Sequence, residues 1–301
     1  MIDATLLIDP ACPEGHAAAP ALTALRWRYG DQLRWTITMA RRPRARTLHP
    51  AAAARRLAAL GDRCGMPVDV TPRARPVSSG RAARAFVATR TQRPDLAWAT
   101  LRALQFAWSA SNALMDRDEA IAAALWSVDG LDVPDVLAAL DHDDAVAAAV
   151  AIERSLPPAP SPTLVLRDGT GGRLVARGLL PVEAYEVCLA NLDGDLVRRD
   201  PPADPVEALL AFGHGLTTAE LAALMGRERS AVRAALIDLA AEGVLRRAPV
   251  GDDAVWRVQR TEALLEPLGL EEAAQEALGL GALGRLEDGL GRPALDDQAL
   301  V

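Results

Sequence analysis

Residues 6–15 read LLIDPACPEG, which places Cys12 between a short apolar stretch and the start of a helix. Residues 4–8 predict a strand, and Pro13 suits the first helical position because its missing N–H would have had no partner there. The first amides of a helix carry partial positive charge, which stabilises a thiolate relative to a thiol. Cys12 alone is compatible both with a reactive thiol and with a small residue in a turn.

The pattern around Cys12 narrows the choice of fold. After the first strand, residues 13–29 predict a helix and residues 33–39 a second strand, which together form a βαβ unit with a right-handed crossover. Residues 163–167 and 173–177 predict a hairpin, because a glycine-rich turn separates two apolar runs. A helix over residues 182–192 follows. A βαβ half and a ββα half are therefore expected on either side of a long middle segment.

This order of elements resembles the DsbA-like branch of the thioredoxin fold, of the FrnE type. In that family the site begins Asp-Pro-x-Cys-Pro, and the resemblance implies a thiol-disulfide oxidoreductase in which the cysteine is the nucleophile. The matching residues of this chain are Asp9, Pro10, Cys12 and Pro13.

The family also carries a cis-proline just before its third strand. Pro162 stands at that place, so the resemblance implies that Ser161–Pro162 is a cis peptide and that its loop faces Cys12. Cys12, Pro13 and Pro162 are then the expected catalytic residues. The alternative is a trans proline that ends the proline-rich segment of residues 157–161.

The chain also departs from the family motif. Glu14 and Gly15 replace the usual aromatic residue and the second cysteine or serine, so a dithiol cycle cannot run locally. The Glu14 carboxylate should oppose a thiolate, and His16 could offset it if protonated, although a solvated histidine is the simpler expectation. Three roles stay open: a monothiol enzyme that uses a small thiol as co-substrate, a redox-sensing cysteine, or a fold without chemistry.

Composition sets limits on the class of protein. The chain has 301 residues, half of them hydrophobic, and a net charge of −7, which is sufficient for two globular domains and argues against a general polyanion binder. It shows no secretory signal, bilayer-spanning stretch, nucleotide motif or zinc spacing, so we expect a cytoplasmic protein without a bound cofactor or a membrane partner.

The three cysteines do not suggest a disulfide framework. Their number is odd and their spacing wide, and the expected compartment is reducing. Cys64 could resolve a mixed disulfide on Cys12 if the fold brings the two together. Cys188 recurs on the inward face of its helix and is interpreted as core.

The middle segment, about residues 50–156, is predicted to be a helical insertion, which in the DsbA-like family forms a lid over the active-site face. Phe106 and Trp108 could line a groove there, although helical spacing favours the core. The predicted helices span residues 50–64, 80–92, 97–112, 119–128, 133–140 and 143–156.

A basic block overlaps this insertion. Thirteen arginines lie between Arg41 and Arg93, against only Asp62 and Asp69. The block could bind an anionic thiol, an acidic partner or nucleic acid, or it could be a surface balanced by acidic residues elsewhere in the fold.

A second domain is predicted after a linker of residues 193–205. A first helix is expected over residues 206–212, and the capping box of Thr217 and Glu220 marks the start of a second. A third helix is expected over residues 229–242, and two strands follow it. Residues 206–260 thus resemble a bacterial winged helix-turn-helix. We therefore predict an α/β protein: a thioredoxin-like fold with a helical insertion over residues 1–192, then a small α+β winged-helix domain, then an acidic, leucine-rich tail of residues 261–301.

The predicted winged helix is compatible with two functions, DNA binding and protein docking. Its exposed basic and polar residues could contact DNA: Arg229, Ser230 and Arg233 on the third helix, and Arg246 and Arg247 on the wing. The acidic residues Glu228, Asp238, Asp252 and Asp253 lie on or beside the same surface and oppose a polyanion. The alternative is a dimerisation or protein-docking module, so the expected partners are a protein or small-thiol disulfide, a second copy of the chain and, less favoured, DNA.

Overall fold

The structure, a computed structural model, describes residues 1–40 and 49–259, and within them one sheet has four strands in the order β2-β1-β3-β4. These strands are β1 (Ile2–Ile8), β2 (Leu33–Met39), β3 (Thr163–Arg167) and β4 (Arg173–Arg177). Strand β1 pairs parallel with β2 and antiparallel with β3, and β3 pairs antiparallel with β4. The predicted βαβ unit and hairpin are both present.

Strand β1 shows why this sheet forms. Every second side chain, at Ile2, Ala4, Leu6 and Ile8, is fully buried, whereas those between them are only half-buried. Such alternation matches the two-residue repeat of a strand. Asp9 and Cys12, which follow this strand, therefore lie at one end of a well-buried sheet.

Nine helices of the described residues surround this sheet, and their bounds lie close to the predicted ones. They are α1 (Pro13–Ala17), α2 (Ala19–Tyr29), α3 (Pro50–Cys64), α4 (Gly80–Gln92), α5 (Ala97–Ser109), α6 (Asp118–Leu125), α7 (Val133–His142), α8 (Asp144–Ser155) and α9 (Val182–Leu192).

The expectation of one unbroken helix over residues 13–29 is wrong. The chain forms two helices that meet at Ala18. Pro20 explains the break, because it has no N–H to donate to the carbonyl four residues earlier, at His16. The short α1 is thereby set apart as a single turn that carries Cys12 at its start.

The last described elements form a second, smaller group. It contains α10 (Pro205–Phe212), β5 (Leu216–Thr217), α11 (Thr218–Met225), α12 (Arg229–Ala241), β6 (Leu245–Val250) and β7 (Asp253–Val258), and the strands pair antiparallel in the order β5-β7-β6. The predicted capping box at Thr217 and Glu220 is confirmed. The predicted tail of residues 261–301 lies outside the described residues.

These elements pack directly against the first group. Residues 1–258 form one compact unit. Trp27 of α2 belongs to the apolar core of the second group, and its indole N–H donates a 2.7 Å hydrogen bond to the Asp200 carbonyl. The chain between α9 and α10 therefore lies along α2. Its role as a linker between two domains stays a prediction.

Candidate active site

Cys12 lies where the chain leaves β1 and begins α1. Its backbone N–H donates a 2.9 Å hydrogen bond to the Asp9 carbonyl. The Asp9 carboxylate in turn accepts a 2.8 Å hydrogen bond from the Ala11 N–H. Pro13 follows at the first position of α1. The turn thus holds the cysteine at the strand-to-helix junction where the sequence placed it.

The loop before β3 contacts this turn. Its Ser161–Pro162 peptide bond is cis, as predicted. The Cys12 thiol donates a 3.0 Å hydrogen bond to the Ser161 carbonyl oxygen, and the Asp9 N–H donates one of 3.1 Å to Ser161 Oγ. The structure therefore brings Cys12 and Pro13 beside the loop that carries Pro162, while their catalytic roles stay predictions.

Glu14 is the acidic neighbour of the thiol. Its Oε2 atom lies 3.4 Å from Cys12 Sγ and competes with the Ser161 carbonyl for the single thiol proton, and its Oε1 atom pairs with Arg56 Nη2 at 2.5 Å. Burial acts to raise the pKa of Glu14, but its own backbone N–H, the Cys12 thiol and Arg56 together lower that pKa below its usual value. Glu14 is therefore ionised at neutral pH, and Arg56 offsets part of its charge.

A second partner fixes the Asp9 side chain. The Ser79 hydroxyl, just before α4, donates a 3.0 Å hydrogen bond to Asp9 Oδ2. Neither Ser79 nor Arg56 was singled out from the sequence, because each lies more than forty residues from its partner. Only the folded structure shows that Ser79 and Arg56 lie in this site.

The Cys12 side chain is covered in this conformation. The residue is 2% exposed. Gly15 adds to the close packing, since a Cβ atom there would lie 3.1 Å from the Ile8 side chain and 3.4 Å from Cys12 Cβ. A reagent therefore reaches the sulfur only when a neighbouring group moves aside.

His16 is not the solvated residue that the sequence suggested. It is 1% exposed, and its Nε2 atom lies 2.9 Å from the Pro67 carbonyl. Burial lowers the pKa of His16 to about 3, with a further contribution from the charge of Arg102. His16 is neutral at pH 7 and cannot offset the charge of Glu14.

The other two cysteines are free thiols with different surroundings. Cys64 donates a 2.8 Å hydrogen bond to the Leu60 carbonyl, and burial raises the pKa of its thiol. It packs with Met66 and Ala219 rather than in the Cys12 turn. Cys188 packs against the main apolar core, as interpreted from the sequence. A resolving role for Cys64 stays a prediction.

The described arginines of the basic block are largely engaged by the fold. Arg75 pairs with Asp116 at 2.6 Å, and Arg90 pairs with Glu153 at 2.5 Å. Arg81 contacts both Asp118 and Asp141. These contacts favour the reading of a balanced surface over that of a polyanion site. Arg41, Arg42, Arg44 and Arg46 lie outside the described residues.

Phe106 and Trp108 are half-buried rather than fully in the core. The Phe106 ring meets the His16 ring edge-on at 5.5 Å, and the Arg102 guanidinium lies 4.4 Å from the Phe106 centroid. Trp108 packs at the edge of the main core, beside Arg73. The Phe106 ring also lines a cavity beside α5, which agrees with the groove that was the alternative, whereas Trp108 does not line it.

The predicted DNA-contacting residues are all exposed. Arg229, Ser230 and Arg233 lie on α12, and Arg246 and Arg247 lie on β6. A Cβ atom at Gly65 would lie 2.6 Å from Arg229 Nη1, so the start of α12 is close to the end of α3.

The placement of Asp253 on that surface is wrong. It is 6% exposed, and its Oδ1 atom accepts a 2.6 Å hydrogen bond from the Thr218 hydroxyl. The Trp256 indole N–H donates to the same hydroxyl at 3.0 Å. Asp253 therefore holds α11 to β7, and Asp252 keeps its exposed position.

A group of titratable side chains joins the two parts of the unit, and we call it the junction cluster: the buried Arg102 and Glu220 and the half-buried Arg26 and His214. Arg102 Nη2 lies 3.1 Å from Glu220 Oε2. Glu220 Oε1 accepts a 3.2 Å hydrogen bond from the Thr23 hydroxyl of α2. The carboxylate that caps α11 is thus also the partner of a guanidinium on α5.

Burial shifts the ionisation of this cluster. It lowers the pKa of Arg26 to about 9 and that of His214 to about 4. Burial acts to raise the pKa of Glu220, but Arg102, the Thr217 N–H and His214 lower it by more. At pH 7 the cluster therefore holds two guanidinium cations, one carboxylate and a neutral histidine.

Within the described residues, no group of three or more histidine, cysteine, aspartate or glutamate side chains is placed to hold a metal ion. No helix in that part of the chain has the length and apolar character needed to cross a bilayer.

No family model matches the chain, and no curated protein matches it. Among solved structures, a candidate protein disulfide isomerase from Nitrosomonas europaea matches with a TM-score of 0.54 and 18% identity, covering 63% of this chain and 96% of that one. A probable DsbA oxidoreductase from Streptomyces coelicolor matches with a TM-score of 0.52 and 18% identity, covering 68% and 95%. Since identities this low establish the fold alone, the chain has a mixed α/β structure with a thioredoxin-like fold of the DsbA type.

Proposed function

We propose that this protein is a thiol-disulfide oxidoreductase of monothiol type, with Cys12 as its nucleophile. The observation that carries the proposal is the 3.0 Å contact between Cys12 Sγ and the carbonyl of Ser161, in the loop of the cis-proline. A disulfide held as an extended segment beside that loop would have one sulfur within reach of Cys12. We further propose a reducing, cytoplasmic setting, because two of the three cysteines are free thiols.

The exchange needs one cysteine and one external thiol. The Cys12 thiolate attacks one sulfur of a disulfide R–S–S–R, a new S–S bond forms to Cys12, and R–S⁻ leaves with the electron pair and is protonated by water. A low-molecular-weight thiol then attacks the outer sulfur of the mixed disulfide. Its attack releases the Cys12 thiolate and forms a new disulfide between the small thiol and R. The small thiol is the reductant, so no second cysteine is required.

The charged neighbours of Cys12 tune this exchange. Glu14 is ionised and lies against the sulfur, so its negative charge disfavours the thiolate. Arg56 forms an ion pair with Glu14 and partly neutralises that charge. Because Arg56 is mostly exposed, the pair can open without unfolding the site. Opening of this pair is the proposed way in which a small disulfide gains access to the covered sulfur.

Turnover tests this proposal. The full chain is mixed with bis(2-hydroxyethyl) disulfide and reduced glutathione as probes, and the mixed disulfide of glutathione and 2-mercaptoethanol is measured over the uncatalysed background. We expect Cys12→Ser to remove all turnover above background. Cys64→Ser and Cys188→Ser should keep it, because a monothiol cycle does not use them.

Two results would contradict the proposed oxidoreductase activity. Equal turnover by Cys12→Ser and the wild-type chain would show that the sulfur is not the nucleophile. A wild-type chain without turnover that still forms one reversible mixed disulfide at Cys12, detected by mass spectrometry, would instead favour the sensor.

The second candidate is a redox-responsive regulator or adaptor that uses a C-terminal winged helix. Its support is the order of α10, α11, α12, β6 and β7, together with the contact of α11 and the start of α12 with the first group. Gly251, between the last two strands, also lies close to Pro67. Since both ends of the presumed DNA-facing surface touch the first group, we propose protein contacts, including a second copy of the chain, over DNA.

A further inference from the structure

A cavity of about 220 Å³ lies between the helical insertion and the C-terminal sheet. One wall is formed by α5 and by residues 123–129, and the other by residues 213–215 with β6 and β7. Small apolar side chains line much of it, such as Ala99, Ala103, Val250 and Val255. No cysteine and no residue of the Cys12 turn lines the cavity, although the Phe106 ring, which does, meets the His16 ring of α1.

Two guanidinium groups and one histidine interrupt these apolar walls: Arg102, Arg257 and His214. Burial lowers the pKa of Arg257, whose Nη1 atom lies 3.6 Å from Asp129 Oδ2 at the rim. Arg102 is 5% exposed, and within the described residues its Nε atom has no hydrogen-bond partner. Most buried guanidinium N–H groups are satisfied, so this one calls for an acceptor.

The charges around the cavity also do not balance. Glu220 is a buried carboxylate that faces both Arg102 and Arg26. Asp129 is mostly exposed, so water screens its charge more than that of the buried cations. The described side chains thus leave an excess of positive charge beside a water-poor space.

We propose that this cavity is a binding site for a small organic anion, a carboxylate on a compact apolar body. The carboxylate would be held by Arg257, with Arg102 adding positive charge, because guanidinium groups bind carboxylates through paired N–H donors. The alanine and valine walls would hold the apolar body. The volume is smaller than that of drug-sized pockets and has room for about seven water-sized groups at about 30 Å³ each.

Calorimetric titration of the full chain tests this site. The probes are benzoate, butyrate and succinate as anions, with benzamide as the neutral match to benzoate. We expect saturable binding of at least one of the three anions below about 10 mM. If benzoate is bound, benzamide should bind at least tenfold more weakly, because it lacks the charge that Arg257 recognises.

Three variants locate the binding. Arg257→Gln removes the half-buried cation, and Ala248→Leu fills the cavity from β6; each should weaken binding at least tenfold. Arg177→Gln, an exposed arginine at the end of β4, is the matched control and should leave the affinity unchanged. Thermal unfolding checks that each variant is folded. If Arg257→Gln does not fold, the affinity of Ala248→Leu alone tests whether the anion binds in this cavity.

The proposal is overturned if none of the three anions binds saturably. It is also overturned if benzamide binds as well as benzoate, or if the folded cavity variants bind like the wild-type chain. Because the readout does not involve Cys12, failure here leaves the proposed thiol exchange intact. Failure of the exchange would likewise leave this site intact.

Discussion

The Cys12 turn and the junction cluster both hide polar groups from water, but they are built in different ways. Cys12 contacts one backbone carbonyl and one carboxylate whose own partner, Arg56, is mostly exposed. Glu220 and Arg102 are both buried and hold each other across two parts of the unit. The Glu14–Arg56 pair beside Cys12 can open at the surface, whereas the Glu220–Arg102 pair cannot separate without parting two buried charges.

The largest effect is expected at the junction cluster. Glu220→Gln should lower the free energy of unfolding by about 3 kcal/mol, because it leaves the buried Arg102 charge without its partner. Urea unfolding at pH 7 measures this loss. Glu207→Gln is the control, since its partner Arg199 is exposed, and it should cost at most about 1 kcal/mol. Equal losses for both variants would show that burial adds nothing to the Arg102–Glu220 pair.

A smaller effect is expected from pH through His16. Its pKa is lowered to about 3 in the folded chain, so the unfolded chain binds a proton first as the pH falls through about 6.5. The stability contributed by neutral His16 is thus present above that pH and is lost as the pH falls towards 3. Between pH 7 and pH 5 the loss is about 2 kcal/mol.

Urea unfolding at these two pH values checks the prediction for His16. His16→Gln removes this titrating group and should remove about 2 kcal/mol of the loss, leaving the part that His214 contributes. His142→Gln, at an exposed site, is the control and should not. A wild-type chain equally stable at pH 5 and pH 7 would contradict the buried, neutral state of His16.

A kinetic effect of roughly threefold to tenfold is expected at the Cys12 turn. Glu14→Gln should speed alkylation of Cys12 by iodoacetamide at pH 7, because it removes the negative charge beside the sulfur. Arg55→Gln, at an exposed arginine next in sequence to Arg56, is the control and should leave the rate unchanged. Mass spectrometry of the Cys12 peptide gives the rate, and slower alkylation in Glu14→Gln would reverse the electrostatic argument.

The smallest effect is expected at the start of α12. Replacing Arg229 and Arg233 with alanine should change retention of duplex DNA little, because Arg229 lies against the end of α3. Both chains should bind weakly and show little dependence on salt, measured by fluorescence anisotropy between 50 and 200 mM NaCl. Tight wild-type binding that is lost in the double variant, with a steep salt dependence, would restore DNA as the partner.

The strands and most helices were predictable because their signals are local. Strand β2 and helices α3, α4 and α9 begin and end where the apolar pattern and the glycine and proline positions placed them. The break at Ala18 was also marked in the sequence, by Pro20, and was missed because the apolar pattern continues across it. Local chemistry therefore decides element bounds more reliably than periodicity does.

The candidate site was predictable only in its backbone. Cys12, Pro13 and Pro162 lie in short motifs, whereas Arg56 and Ser79 join the site through helix packing that no local pattern encodes. Arg102 did carry a signal, as the one charged residue among the thirteen of α5. Its partner could not be named, because Glu220 lies in a separate part of the sequence and already had a role as a helix cap.

The double duty of Glu220 also constrains how related sequences can vary. Its carboxylate accepts a hydrogen bond from the Thr217 N–H at the start of α11, pairs with Arg102 on α5 and accepts a hydrogen bond from Thr23 on α2. A substitution at any of these positions leaves a buried group without its match, so viable changes should occur in concert. A C-terminal segment taken from another protein would therefore be tolerated only together with the residues at 23 and 102. The two parts of this chain are expected to be inherited as one.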